Sequence, residues 1–126
     1  EAVGVGKGDR EGAARQALEN FRFFGAPHLA VVTSPDLLGT HGVMDCGAWV
    51  SSFLLAATSL GLGAVAQAAV ASWPDILREQ LHIADGQRLV CGISFGHEDA
   101  THPANSFRTQ RAPIKELVTW VGPESS

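Results

Sequence analysis

Apolar residues recur along this chain with two different periods, and the switch between them marks out its elements. Past the glycine-rich residues 1–8, Asp9 is a candidate N-cap. Ala14, Ala17, Leu18 and Phe21 then follow at i, i+3, i+4, i+7 spacing. This predicts a helix running to about residue 23, with that stripe inward, stopped at Gly25-Ala26-Pro27. Residues 28–33 form a short β-branched run closed by Ser34-Pro35-Asp36, which predicts a buried strand. A loop through Gly39, His41 and Gly42 leads to a long apolar helix over residues 44–60, ended by Gly61 and Gly63. Residues 64–71 are apolar without a period that settles their conformation. Ser72 is expected to cap a second clear helix, with Pro74 in its first turn and Ile76, Leu77 and Leu81 inward.

Asp85-Gly86 then turns the chain into a strand over residues 88–96 that alternates sharply. Leu89, Cys91, Ile93 and Phe95 point one way; Val90, Gly92, Ser94 and Gly96 point the other. A face of such small residues implies that a helix backbone or a ligand packs close against it. Residues 114–118 read as a short turn and residues 118–121 (VTWV) as a terminal strand. With no internal repeat and no linker, the pattern predicts a single α+β domain over residues 1–126.

Composition narrows the class. At 126 residues, 45% apolar and 17% charged with a net charge of −4, the chain is near the small end for an enzyme and does not suit nucleic acid. Cys46 and Cys91 lie in apolar contexts without metal or redox spacing, which predicts reduced core thiols and a cytoplasmic location. Residues 46–71 carry no charge over 26 positions, long enough to span a bilayer. Their serines, threonine, glutamine and glycines, and the absence of flanking Lys or Arg, favour instead a helix buried on all sides in a protein. The chain opens at Glu1 with no signal peptide, so it is expected to be a processed product or a piece of something longer.

Two motifs lapse on their spacing. Gly4-Val5-Gly6-Lys7-Gly8 lacks the preceding strand of a dinucleotide loop, and Gly8 stands where a phosphate loop needs Ser or Thr after the lysine. His97 and His102 are five apart in a turn-rich connector, not four apart on a helix, so no metal site is expected. Asp45 reads either as a charge stabilising the start of the long helix or as a buried polar anchor. The stretch that does carry chemistry is Asn105-Ser106-Phe107-Arg108-Thr109-Gln110-Arg111-Ala112-Pro113. No acidic residue intervenes between Asp99 and Glu116, so Arg108, Arg111 and Lys115 make a positive segment on an acidic chain. Arginine's planar fork of donors suits phosphate. An anion loop beside a small-faced strand, without a nucleophile or paired carboxylates, points to a cofactor that brings its own chemistry.

Three stretches, in order, carry a wider likeness: Asn20-Phe21-Arg22-Phe23-Phe24-Gly25-Ala26-Pro27 before a strand, Ala56 through Ala69 with Leu60-Gly61-Leu62-Gly63 at its middle, and Leu89 through Gly96 followed by His102 through Pro113. Together they resemble the FMN-dependent nitroreductase family, especially its nitrobenzoate-reductase-like members. The resemblance implies a nitroreductase-like fold, a central sheet flanked by helices. It implies a homodimer with FMN at the interface, the long helix central to it and the terminal strand swapped into the partner's sheet. Ping-pong reduction of nitroaromatic or quinone-like acceptors by NAD(P)H follows from the same likeness. By position, Arg111 matches the arginine on the FMN phosphate and Arg108 is its neighbour, while Ala66, Gln67, Ala68 and Ala69 match the segment whose backbone borders the flavin ring. Ala66 stands where family members often have proline. The family's N-terminal Arg-x-Ser and Pro-Ser-x-x-Asn-x-Gln motifs are absent, so the chain matches the C-terminal portion. Two alternatives stand: a separate N-terminal fragment that stays associated, or a truncated, non-catalytic dimeric remnant without stable flavin.

Overall fold

The structure, a computed structural model, describes residues 3–122. Three strands form one antiparallel sheet in the order β1 (His28–Pro35), β3 (Gln87–Gly96), β2 (Gly63–Gln67). The centre is therefore the alternating strand, paired with β1 from His28↔Phe95 to Pro35↔Gln87 and with β2 from Gly63↔Gly96 to Gln67↔Gly92. A bulge between Val32 and Thr33 shifts the first register. Being central, β3 is covered on both faces: Ile93 is 0% exposed and its neighbour Ser94 1%. Burying the isoleucine side chain contributes about 2–3 kcal/mol.

Helix α2 (Gly39–Ser59) packs on one face of the sheet, where Cys46, Val32 and Ile93 form the core with Val50, Phe53 and Leu54 against them. Phe53 meets Phe95 edge to face at 5.4 Å, which locks the helix to the central strand. The helix begins at Gly39, earlier than the periodicity suggests, because Leu38 and Gly39 close a 3₁₀ turn (Asp36–Leu38) that runs straight into it. His41 thus lies in its first turn and Asp45 in its second, so Asp45 is not the charge at its mouth. Gly61, at φ +72, ends it in a conformation that glycine adopts without strain, and Gly63 already belongs to β2.

The helix is not buried on all sides within this chain. Its outer face leaves Met44 and Leu55 exposed, Leu55 by 73%. None of the described helices is long and apolar enough to cross a membrane.

The first helix, α1 (Arg10–Leu18), has Asp9 as its N-cap, accepting from the Gly12 N–H at 2.8 Å. It stops five residues short of the expected end. A 3₁₀ segment (Glu19–Gly25) follows, in which Phe23 and Phe24 take left-handed dihedrals at φ 57 and 52. The predicted inward stripe of Ala14, Ala17, Leu18 and Phe21 is exposed in this chain. Residues 64–71, undecided in sequence, belong to β2 and to the 3₁₀ turn (Ala68–Ser72) that follows it.

Helix α3 (Pro74–Leu81) has its proline in the first turn, but its cap is Trp73, with no side-chain hydrogen bond, so Ser72 does not cap it. Only Leu77 of its three expected inward residues is half-buried; Ile76 and Leu81 are exposed. A short helix, α4 (Ile114–Leu117), replaces the expected turn. Val118 is extended, yet among the described residues no strand pairs with residues 118–121, and Trp120 is 82% exposed.

Candidate functional site

The small face of β3 is the first feature that the structure explains. A Cβ on Gly92 would stand 3.1 Å from both methyls of Val70 and 3.0 Å from Leu29, and one on Gly96 would stand 2.6 Å from Pro27. The close neighbours are therefore side chains of this chain. Val70, itself 3% exposed, seats the 3₁₀ turn Ala68–Ser72 on the sheet. The glycine face works as a socket for that turn.

The turn follows directly on β2, so Ala66, Gln67, Ala68 and Ala69 form one continuous segment across the strand's end. Its inward residues are Gln67 and Val70, three apart; its outward ones are alanines, with Ala66 and Ala68 exposed and Ala69 half-buried. β2 is an edge strand, and side chains of one carbon hide little of its backbone. The Gln67 side chain is turned into the protein and does not face solvent. Its Nε2 donates to the Asn20 carbonyl at 2.9 Å and to Asn20 Oδ1 at 3.3 Å, and its Oε1 accepts from the Ser94 hydroxyl. No buried side-chain polar atom among the described residues lacks a partner.

The cationic half of the candidate site is built differently. Residues 106–113 carry no helix or strand, and all eight are exposed. Arg108 donates to the Asn105 and Phe107 carbonyls, each at 3.1 Å, and lies 3.8 Å from Glu98. Glu98 in turn borders Gly63, whose added Cβ would stand 3.6 Å from that glutamate's own. Arg108 is thereby held near the start of β2, while Ala68 and Ala69 lie past its end. The structure gives Arg111 no ion pair among the described residues, and its side chain stands in solvent.

The histidine connector is structural. Asp99 accepts from the N–H and hydroxyl of Thr101, and these bonds hold its carboxyl below the usual carboxylate range. His102 Nδ1 caps the turn Pro103–Asn105 by accepting from Ala104. No group of three metal-binding side chains occurs among the described residues. Both cysteines are free, Cys46 buried and Cys91 partly so, and burial, with Cys46 nearby, raises the Cys91 thiol. An open groove of about 510 Å³ runs between α2 and the edge of β1, lined by Val31, Thr33, Asp45, Cys46 and Trp49 among others. Its lining holds a carboxylate and no cation, the wrong charge for a phosphate. Asp45 and Cys46 line it, but none of the residues matched to the flavin in sequence does.

What sequence reasoning missed is the pairing of Asn20 and Ser94 with Gln67. A lone glutamine in an alanine-rich run is the one signal that could have pointed to it, since a buried amide requires partners.

Known proteins resemble this chain along most of its length. The model of a family described as "Nitroreductase family" matches residues 2–97. The chain is 36% identical over 120 residues to a 4-nitrobenzoate reductase of Nocardioides sp. (strain LMS-CY), covering 95% of this chain and 49% of that protein. It is 30% identical over 117 residues to the nitroreductase NfnB of Mycolicibacterium smegmatis, covering 93% of this chain and 50% of that one. A crystal structure of an FMN- and NADPH-dependent nitroreductase NfnB from Sphigopyxis sp. strain HMH superposes with a TM-score of 0.90 at 29% identity, over 96% of this chain and 54% of that one. The chain spans about half the length of the relatives it matches. A sheet centred on β3, a turn seated in its glycine socket and a family match across most of the length lead to one conclusion: this chain belongs to the nitroreductase family.

Proposed function

We propose that this chain is the C-terminal portion of an FMN-dependent oxidoreductase that uses NAD(P)H to reduce nitroaromatic or quinone-like acceptors, working by a ping-pong cycle as a cytoplasmic homodimer. The observation that carries the proposal is the likeness, over 96% of the chain, to a structure whose own description is of an FMN- and NADPH-dependent nitroreductase.

The residues present fit that cofactor on two counts. Ala66 and Ala68 leave the backbone beside them accessible, and a backbone N–H is the donor that a flavin ring edge takes. Arg111 stands in a segment without acids, ready for a dianion. In this role Arg111 would hold the phosphate with Arg108 beside it, and the backbone of Ala66, Gln67, Ala68 and Ala69 would border the ring. When bound, the flavin supplies two-electron hydride chemistry. The chain's part is to bind, to orient and to place N–H dipoles where negative charge develops. No side chain described here need act as a nucleophile.

Residues 118–121, unpaired among the described residues, and the exposed outer face of α2 fit a second copy of the chain, with the tail crossing to the partner's sheet and the two helices meeting. The same exposed apolar surface favours one competing reading, a dimeric remnant without stable flavin. The visible absorption spectrum of the purified chain after incubation with FMN separates them. A stoichiometric flavin band that bleaches with NAD(P)H supports the enzyme; a colourless chain that takes up no FMN assigns the remnant.

A further inference from the structure

We infer that Gln67, held between Asn20 and Ser94, is the positioning residue for the flavin-facing backbone of Ala68 and Ala69. The inference rests on the flavin site proposed for this chain.

The ladder between β2 and β3 ends at Gln67↔Gly92. Beyond that pair no strand hydrogen bond fixes the direction of the chain, so the path of Ala68 and Ala69 is set by their flanking anchors. One anchor is Val70 in the Gly92 socket. The other is the Gln67 amide, 3% exposed, whose donors both go to Asn20 and whose oxygen takes the Ser94 hydroxyl. Asn20 Nδ2 donates at 3.0 Å to Ala17 O at the end of α1, so the chain of bonds runs from that helix through β2 to the central strand.

The pattern admits one orientation of each amide. Turning Gln67 over would set its oxygen against two acceptors of Asn20. Turning Asn20 over would set its oxygen against the Ala17 carbonyl and its NH₂ against that of Gln67. Gln67 and Ser94 are buried and Asn20 half-buried; a paired network of this kind holds one conformation sharply, and the loss of a member leaves the others unpaired. Between these two anchors stand Ala68 and Ala69, whose side chains end at Cβ and carry no hydrogen-bonding group. The amide therefore acts on the ring through the backbone it holds, without touching it.

The test uses the full chain with Gln67→Met, which keeps the volume and removes the hydrogen bonds, and Ser94→Ala, which removes only the donor to Oε1. Nitrogen-15 relaxation of the flavin-free protein reads the backbone of Ala66, Ala68 and Ala69. In Gln67→Met their order parameters are expected to fall from about 0.85 to below about 0.6, with those of α2 unchanged. With FMN bound, the variant is expected to lose about tenfold in its preference for reduced over oxidised flavin. For two electrons that is a midpoint potential about 30 mV more negative.

Either quantity left at its wild-type value in a folded Gln67→Met protein overturns the inference. If that variant does not fold, Ser94→Ala is read for the same two changes, and their absence has the same force. The two levels fail separately. A wild-type chain that binds FMN, and loses it on Arg111→Ala, with Gln67→Met unaltered, leaves the flavin site standing and removes the role given to Gln67. A wild-type chain that takes up no FMN removes both.

Discussion

The two halves of the candidate site are made in opposite ways. The turn after β2 is fixed by the half-buried Asn20 of the 3₁₀ segment before β1 and by buried groups of β2 and β3, each with its partner. The arginine segment has exposed side chains, local carbonyl contacts and one long ion pair. The difference teaches which half is prepared before any ligand arrives. A ring edge would meet a backbone already ordered by packing, whereas a phosphate would have to order the arginines as it binds and meet the entropy of doing so.

Changes to the core should break this contrast on the rigid side. Ile93→Ala is expected to cost about 3–4 kcal/mol, because the site is fully enclosed and sandwiched between α2 and the sheet. Chemical denaturation reads it, and a loss under about 1 kcal/mol would mean that β3 is not the centre of the core. Gly92→Ala comes next, at about 1–3 kcal/mol, since its methyl would press on Val70 and Leu29 at distances where neighbours must yield. Its signature is local: the Ala68–Ser72 turn should lose proteolytic protection before the α2 face does.

On the open side the expected effects move from stability to binding. Arg111→Ala should leave the unfolding midpoint in place and weaken FMN about tenfold or more, measured by flavin fluorescence; unchanged affinity would show that another cation holds the phosphate. Glu98→Gln is the small end of the scale. Its partner Arg108 is largely solvated at 3.8 Å, so stability should change by no more than about 0.5 kcal/mol. Acid offers the mildest probe. The Asp99 carboxyl is held low by Thr101, so what it contributes is present above the ordinary carboxylate pKa and lost as the pH falls through its lowered folded value. The connector should loosen there, seen as a chemical-shift change at Thr101 with β3 undisturbed; a connector that keeps its shifts at that pH would refute the role of Asp99.

Much of the fold was legible because period and punctuation agreed. The alternation in β3, the β-branched run in β1 and Pro74 at the start of α3 each had one physical interpretation. Errors fell where a local pattern needed a neighbour that this chain does not place. The stripe of Leu18 and Phe21 is helically spaced, yet it faces solvent here. Residues 118–121 alternate like a strand and find no strand to pair with among those described. The left-handed Phe23 and Phe24 were invisible to a reading that expects glycine at positive φ. Of the candidate site, the arginines could be seen from charge alone. The Asn20–Gln67–Ser94 bonds left only the lone glutamine as a signal, since their members are far apart in sequence.

The strand order β1, β3, β2 also sets a schedule. The middle of the sheet is the last of its strands to be synthesised, so His28 must wait for Phe95 and Gln67 for Gly92. At roughly 5–20 residues per second, β1 leaves the ribosome several seconds before its partner. Through that interval both outer strands are bare-edged and the glycine socket for Val70 does not exist. Closure therefore falls to one late event, the arrival of Gln87–Gly96. Codons that slow translation just before that strand would lengthen the exposed interval, and a chaperone that shields β-branched runs would have its greatest use there.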